Sequence, residues 1–222
     1  TLTSSKTIKS EIAASPDGEI IAFIATQDDD EDIWLYDMAV EEELQLTFSG
    51  GEKSHISFSP DGINIAYAGR QDADDSWSLY LASAETGTEK QYSSDKAEYY
   101  FPSWLDADKI YCEVKSDSTR RAEILTLSDD RWKILYSHGN RKFKCTYLSK
   151  DLASLYYVES GWSGSNMQKI EVSKGLVSTF INDIVAGPIF SPNEAQVVYV
   201  RRFGSWPTRS IWAEDVRHII QA

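Results

Sequence analysis

Two kinds of residue in this chain have side chains suited to gripping a partner, and each kind is clustered. Tryptophan and arginine gather beside glycines in "SGWSGSN" (160–166) and "RFGSWPTR" (202–209), which hold Trp162, Trp206, Arg202 and Arg209. Such residues at a concave surface carry most of the binding energy of protein interfaces. The competing reading is that both indoles fold back onto neighbouring loops. Acid gathers in "TQDDDED" (26–32) and "QDADDS" (71–76), which supply Asp29, Asp30 and Asp74. Neighbouring carboxylates are the raw material of a calcium site. However, the spacing lacks the glycine turn and distal glutamate of a calcium loop, so we read solvated hairpins and assign no metal.

Groups that do covalent or acid–base chemistry are sparse and scattered. His55, His138 and His218 show no ligand spacing. Cys112 and Cys145 lie 33 positions apart on different predicted strands, and two buried thiols are the default over a disulfide. There is no G-x-S-x-G, no phosphate-binding loop and no dinucleotide fingerprint. A glycosidase needs two carboxyls at a defined separation. Among the innermost strand segments "EIAA", "HISF" and "GPIF", Glu11 is the one acid. We therefore expect no catalytic residue and no cofactor.

Charge narrows the partners. The formal net charge of −13 argues against nucleic acid, whose phosphates demand clustered Lys and Arg. Residues 1–99 carry 21 acids against 6 bases, and residues 100–222 carry 14 against 16. This asymmetry would orient a basic partner on approach. No run of 18 apolar residues reads as a membrane span, and residues 1–20 lack the pattern of a signal peptide. A first residue of Thr rather than Met reads as an excised or processed segment.

The elements that position these residues recur. "ASPDGEIIAF" (14–23), "FSPDGINIAY" (58–67), "SWLDADKIYC" (103–112), "LSKDLASLYY" (148–157) and "FSPNEAQVVY" (190–199) align on Ser15, Ser59, Trp104, Ser149 and Ser191, at steps of 44, 45, 45 and 42 residues. Within each copy, runs such as "IIAFIAT" (20–26), "DIWLYD" (32–37) and "LQLTF" (44–48) are short, β-branched and aromatic, and none has a helical period. In the turn itself, Pro presets φ, Asp bonds its own backbone and Gly accepts a positive φ. Asp17, Asp61, Asp106, Asp151 and Asn193 are accordingly structural. Four antiparallel strands a, b, c and d every 40–50 residues predict a β-propeller.

The pattern "SPDG–x–x–IAF … DIWLYD … LQLTF" resembles the TolB-type propeller repeat, a WD-repeat-like family, over nearly the whole chain. The spacing predicts an all-β single propeller of five four-stranded blades near 5–48, 52–93, 97–136, 141–180 and 184–222. Leu2 and Thr3 lie in phase with Leu46 and Thr47, so residues 1–4 would complete the last blade. TolB itself has six blades, and a piece of a larger ring is the alternative. In such a fold the b–c and d–a loops share one face, which would bring Asp29, Asp30, Asp74, Trp162, Trp206, Arg202 and Arg209 to one mouth. The resemblance implies a non-enzymatic periplasmic or envelope module that binds a protein, or the sensory domain of a membrane-anchored transcription regulator. A glycosidase funnel and the gating propeller of a prolyl-oligopeptidase-type hydrolase remain alternatives.

Overall fold

The computed structural model describes residues 7–73, 75–93, 97–137, 139, 144–161, 164–191, 193–202 and 209–220. The chain divides into two compact units, Thr1–Gly139 and Asn140–Ala222. The first holds three four-stranded antiparallel sheets: β1 (Ile8–Ala14), β2 (Ile20–Gln27), β3 (Asp30–Asp37) and β4 (Glu42–Gln45), then β5 (Glu52–Phe58) to β8 (Glu89–Gln91), then β9 (Glu98–Asp106) to β12 (Arg131–Ser137). Each sheet runs in sequence order, a to d, as the repeat predicts.

The b strands of the first unit are apolar on both sides because each is covered on both faces. Ala22, Phe23, Ile24 and Ala25 are all buried, and such continuous runs mark doubly covered strands rather than half-exposed ones. One face of the first blade, with Ala22, Ile24, Ile33 and Leu35, packs on Ile56, Ile65, Tyr67 and Ala82 of the second. The second repeats the arrangement: Ala66, Leu79 and Leu81 meet Tyr99, Ile110, Cys112 and Val114 of the third. We call the first partner of each such pair the forward face and the second the rear face.

The a–b turn is built from side chains. In the first blade the Ser15 hydroxyl donates to Asp17 Oδ1 at 2.5 Å and accepts the Ile20 N–H at 2.9 Å, while Asp17 Oδ1 also accepts the Glu19 N–H at 3.0 Å. Ser59 with Asp61, Ser149 with Asp151, and Ser191 with Asn193 make the same set. The serine hydroxyl and the backbone amide hold the carboxyls of Asp17, Asp61 and Asp151 below their ordinary range. Gly18 and Gly62 take φ of 77° and 75° in this turn, and Leu152 and Glu194 are forced to 58° and 57° at the same step. Trp104 breaks the pattern. With no serine, the third blade turns in a tight hairpin closed by Asp106 and Lys109, and the Trp104 indole N–H reaches the Ser57 carbonyl at 3.1 Å.

The second unit differs from the expectation in two ways. The predicted boundary between residues 180 and 184 is absent: β16 (Leu176–Phe190) runs straight through, pairing first with β15 (Gly164–Glu171) and then with β17 (Gln196–Arg202). A six-stranded sheet from β13 (Lys144–Leu148) to β18 (Arg209–Asp215) results. "FINDIVAG" has no glycine or proline ahead of Gly187, unlike "TFSGGEK" (47–53), whose two glycines turn the chain. A short helix, α1 (Val216–Ile220), closes the sheet. Asp215 caps it by accepting the Arg217 N–H at 2.9 Å, and Val216 and Ile219 pack on the core. Five residues are too few to show a helical period. Among the described residues no strand pairs with the outer edge of β18, and residues 1–4, predicted to do so, lie outside them.

Candidate functional site

The innermost strands share a defect. In β1, β5 and β9 the pairing register slips near Ser10–Ile12, Ser54–Ser57 and opposite Tyr111–Glu113, and β13 and β16 slip at Lys144–Tyr147 and Ala186–Ile189. In the first unit each slip holds a non-glycine residue in left-handed backbone: Glu11 at φ 42°, His55 at 58° and Phe101 at 52°. A β-bulge re-aims the side chain it carries, and left-handed backbone costs a side-chain-bearing residue about 1–3 kcal/mol.

The three residues at these slips are linked in a row. Glu11 Oε1 accepts the Ser54 hydroxyl at 2.8 Å, and its Oε2 accepts the His55 backbone N–H. The His55 ring lies with Nδ1 2.8 Å from Ser54 Oγ and packs edge-to-face on Phe101, with centroids 4.2 Å apart. Burial pulls the imidazole pKa below its ordinary value, against the pull of Glu11 in the other direction. The row therefore offers an exposed carboxylate, a neutral imidazole and a half-buried phenyl ring on adjacent blades.

The sequence-predicted residues fare differently. Asp28 and Asp29 form a two-residue hairpin turn with φ of 52° and 73°, so Asp29 is exposed at its tip. Asp30 is also exposed, and its Oδ1 accepts the Gly51 N–H at 3.1 Å. Asp32 goes further. It is buried, accepts Thr47 Oγ1 at 2.9 Å and lies 3.2 Å from Lys53 Nζ, whose ammonium also donates to the Glu31 carbonyl. Part of the acidic run thus fastens β3 to the following d–a connection. Arg202 and Arg209 face each other in the register of β17 and β18. Trp162, Trp206 and Asp74 lie outside the described residues. Among the described residues no group of three or more His, Cys, Asp or Glu is placed to hold a metal ion.

Sequence reasoning named Glu11 but saw in His55 only one of three histidines without ligand spacing; the structure sets it in the middle of β5. The signal was spacing. Glu11 and His55 each lie four residues before the turn serine of their own copy.

No family model and no curated protein matches the chain. Solved structures do, and they define the class: the fold is a TolB-type β-propeller. TolB from Acinetobacter baumannii is 19% identical with a TM-score of 0.74, and the match covers 98% of this chain and 54% of that one. This chain therefore spans about half the length of that TolB chain. Oligogalacturonate lyase from Vibrio parahaemolyticus is 10% identical with a TM-score of 0.74, covering 96% and 67%. The β-propeller domain of the Trilobed protease from Pyrococcus furiosus is 12% identical with a TM-score of 0.64, covering 96% and 70%. Both a non-enzymatic protein and enzymes share the fold.

Proposed function

We propose that this chain is a non-enzymatic propeller module that holds a protein partner along the Glu11–His55–Phe101 row, in the periplasm or cell envelope. The observation that carries the reading is the row itself: three successive inner strands each accept backbone strain to present a side chain, with Glu11 bonded to Ser54 and to the His55 backbone, and the His55 ring packed on Phe101. Strain of this kind clusters where a protein binds or reacts. Binding is favoured over reaction because Glu11, the one acid of the three, has both carboxylate oxygens committed to neighbouring donors, and glycoside cleavage needs a pair of carboxyls. The envelope location follows the resemblance to TolB, and a sensory domain outside the membrane would use the same binding role.

The test is capture from an envelope extract by the immobilised chain, beside a His55→Ala, Phe101→Ala double variant with an unchanged melting temperature. A protein held by the parent and lost by the variant supports the reading. Equal retention by both would remove the row from it, and turnover of an oligogalacturonate or a peptide by the chain would replace binding with catalysis.

A further inference from the structure

We infer that the Glu11–His55–Phe101 row is a seat for a cationic side chain, a guanidinium or an ammonium, on the protein partner; the inference rests on reading the row as a binding site. Glu11 is exposed, yet its carboxylate is fixed in place by the Ser54 hydroxyl at 2.8 Å and by the His55 backbone N–H. The described cations of this region are already engaged: Lys9 with Glu43, Lys53 with Asp32 and Arg70 with Glu52. Among the described residues none pairs with Glu11. A rigid carboxylate with no cation of its own is pre-organised to receive one, and charge-assisted hydrogen bonds are about twice as strong as neutral ones.

The hydrogen-bond directions extend the argument to His55. The Ser54 hydroxyl has one proton, and it goes to Glu11, because an ionised carboxylate only accepts. Ser54 Oγ can therefore only accept from the imidazole, which places the ring proton on Nδ1. Nε2 is left with its lone pair, and no described group binds it. A second acceptor thus stands beside the carboxylate, and the imidazole adds no positive charge while it is neutral. Phe101 against the ring supplies an aromatic surface of the kind that attracts cations. The wider field agrees: residues 1–139 carry 28 Asp or Glu against 12 Lys or Arg.

The experiment is an NMR titration of the whole chain with acetyl-Gly-Arg-Gly-amide, its Lys counterpart and its citrulline counterpart, which keeps the shape of arginine without the charge. The expected result is that the Arg and Lys peptides shift the His55 and Phe101 ring signals and the citrulline peptide does not. Glu11→Gln should weaken the Arg peptide about tenfold, the loss expected when a charge-assisted contact becomes a neutral one. Phe101→Leu should weaken it about threefold, the lower end of a cation–aromatic contact. Equal binding of the citrulline peptide to the parent chain would overturn the inference, and that comparison needs no variant to fold. So would an unchanged affinity in a folded Glu11→Gln protein, or shifts confined to other residues. If capture maps a partner to the row but the cationic peptides fail, only this inference falls. If the peptides bind and the row plays no part in capture, the functional reading falls instead.

Discussion

Ile33 and Ile211 hold the same position in the repeat, each on the forward face of a c strand and paired with the b strand at Ile24 and Val200 respectively. Ile33 is 0% exposed, whereas Ile211 is 78% exposed. Their neighbours follow suit. Ala22 is fully buried, and its counterpart Val198 is 38% exposed beside Ile189 at 71%. In the first unit the rear face of the next blade covers Ile33. In the second unit Val197, Tyr199 and Trp212 on the rear face of the last blade pack against Tyr156, Val158 and Met167, while Val198 and Ile211 on its forward face are exposed. One apolar pattern therefore has two fates, covered by the next blade in the first unit and exposed in the second.

The comparison can be broken most directly by placing charge on both faces. Ile33→Asp should cost more than about 4 kcal/mol, enough to unfold the first unit, because it buries an unpaired carboxylate. Ile211→Asp should change the unfolding free energy read from urea melts by less than about 0.5 kcal/mol, as exposed substitutions do. Equal losses in the two variants would mean that the open face is covered in solution.

Glycine exchange sharpens the contrast between crowded and open positions. Gly51 sits at φ +72° and a Cβ there would stand 2.3 Å from the Arg70 carbonyl oxygen, whereas Gly18 at φ +77° has nothing within 4 Å. Gly51→Ala should cost about 3 kcal/mol and Gly18→Ala about 1 kcal/mol, the second from left-handed backbone alone. Thermal melts of the pair would check the difference.

Thr47→Val tests the fastening of the d–a connection. The buried Thr47 hydroxyl donates to Asp32 at 2.9 Å and accepts the Ile33 N–H at 2.9 Å. Its loss should cost about 1–3 kcal/mol by leaving the Ile33 N–H without its acceptor and Asp32 with one donor fewer. A denaturation midpoint equal to that of the parent would show the bonds to be dispensable.

The smallest effect is a pH dependence at His55. Burial sets its folded pKa below the unfolded value of 6.5, so the unfolded chain binds more protons below that pH. Its contribution to stability should be whole above pH 6.5 and decline as the pH falls from there towards the folded pKa. His55→Gln should remove that part of the pH profile, and urea midpoints between pH 7.5 and 5 would show it.

The repeat, the strand order and the turn chemistry were legible in the sequence because each is local. Pro, Asp and Gly in "SPDG" set their own backbone, and a b strand covered on both faces spells its burial in consecutive apolar letters. The candidate site was legible only in part. Its spacing is regular, but Glu11, His55 and Phe101 share no residue type, and a bulge shows itself in the register against the neighbouring strand rather than in the residue that occupies it. The acidic run divides in the same way: Asp29 stays in solvent, while Asp32 is bound by Thr47 and Lys53, partners 15 and 21 positions along.

The residue pattern alone settles that this chain makes antiparallel repeats of short strands and where the a–b turn of each falls, since those choices are made within a few residues. Only the tertiary structure decided which carboxylates face solvent, that β16 runs unbroken between repeats, and which apolar faces are covered. Those outcomes depend on what another strand or blade brings alongside, and no residue carries that information in its own type.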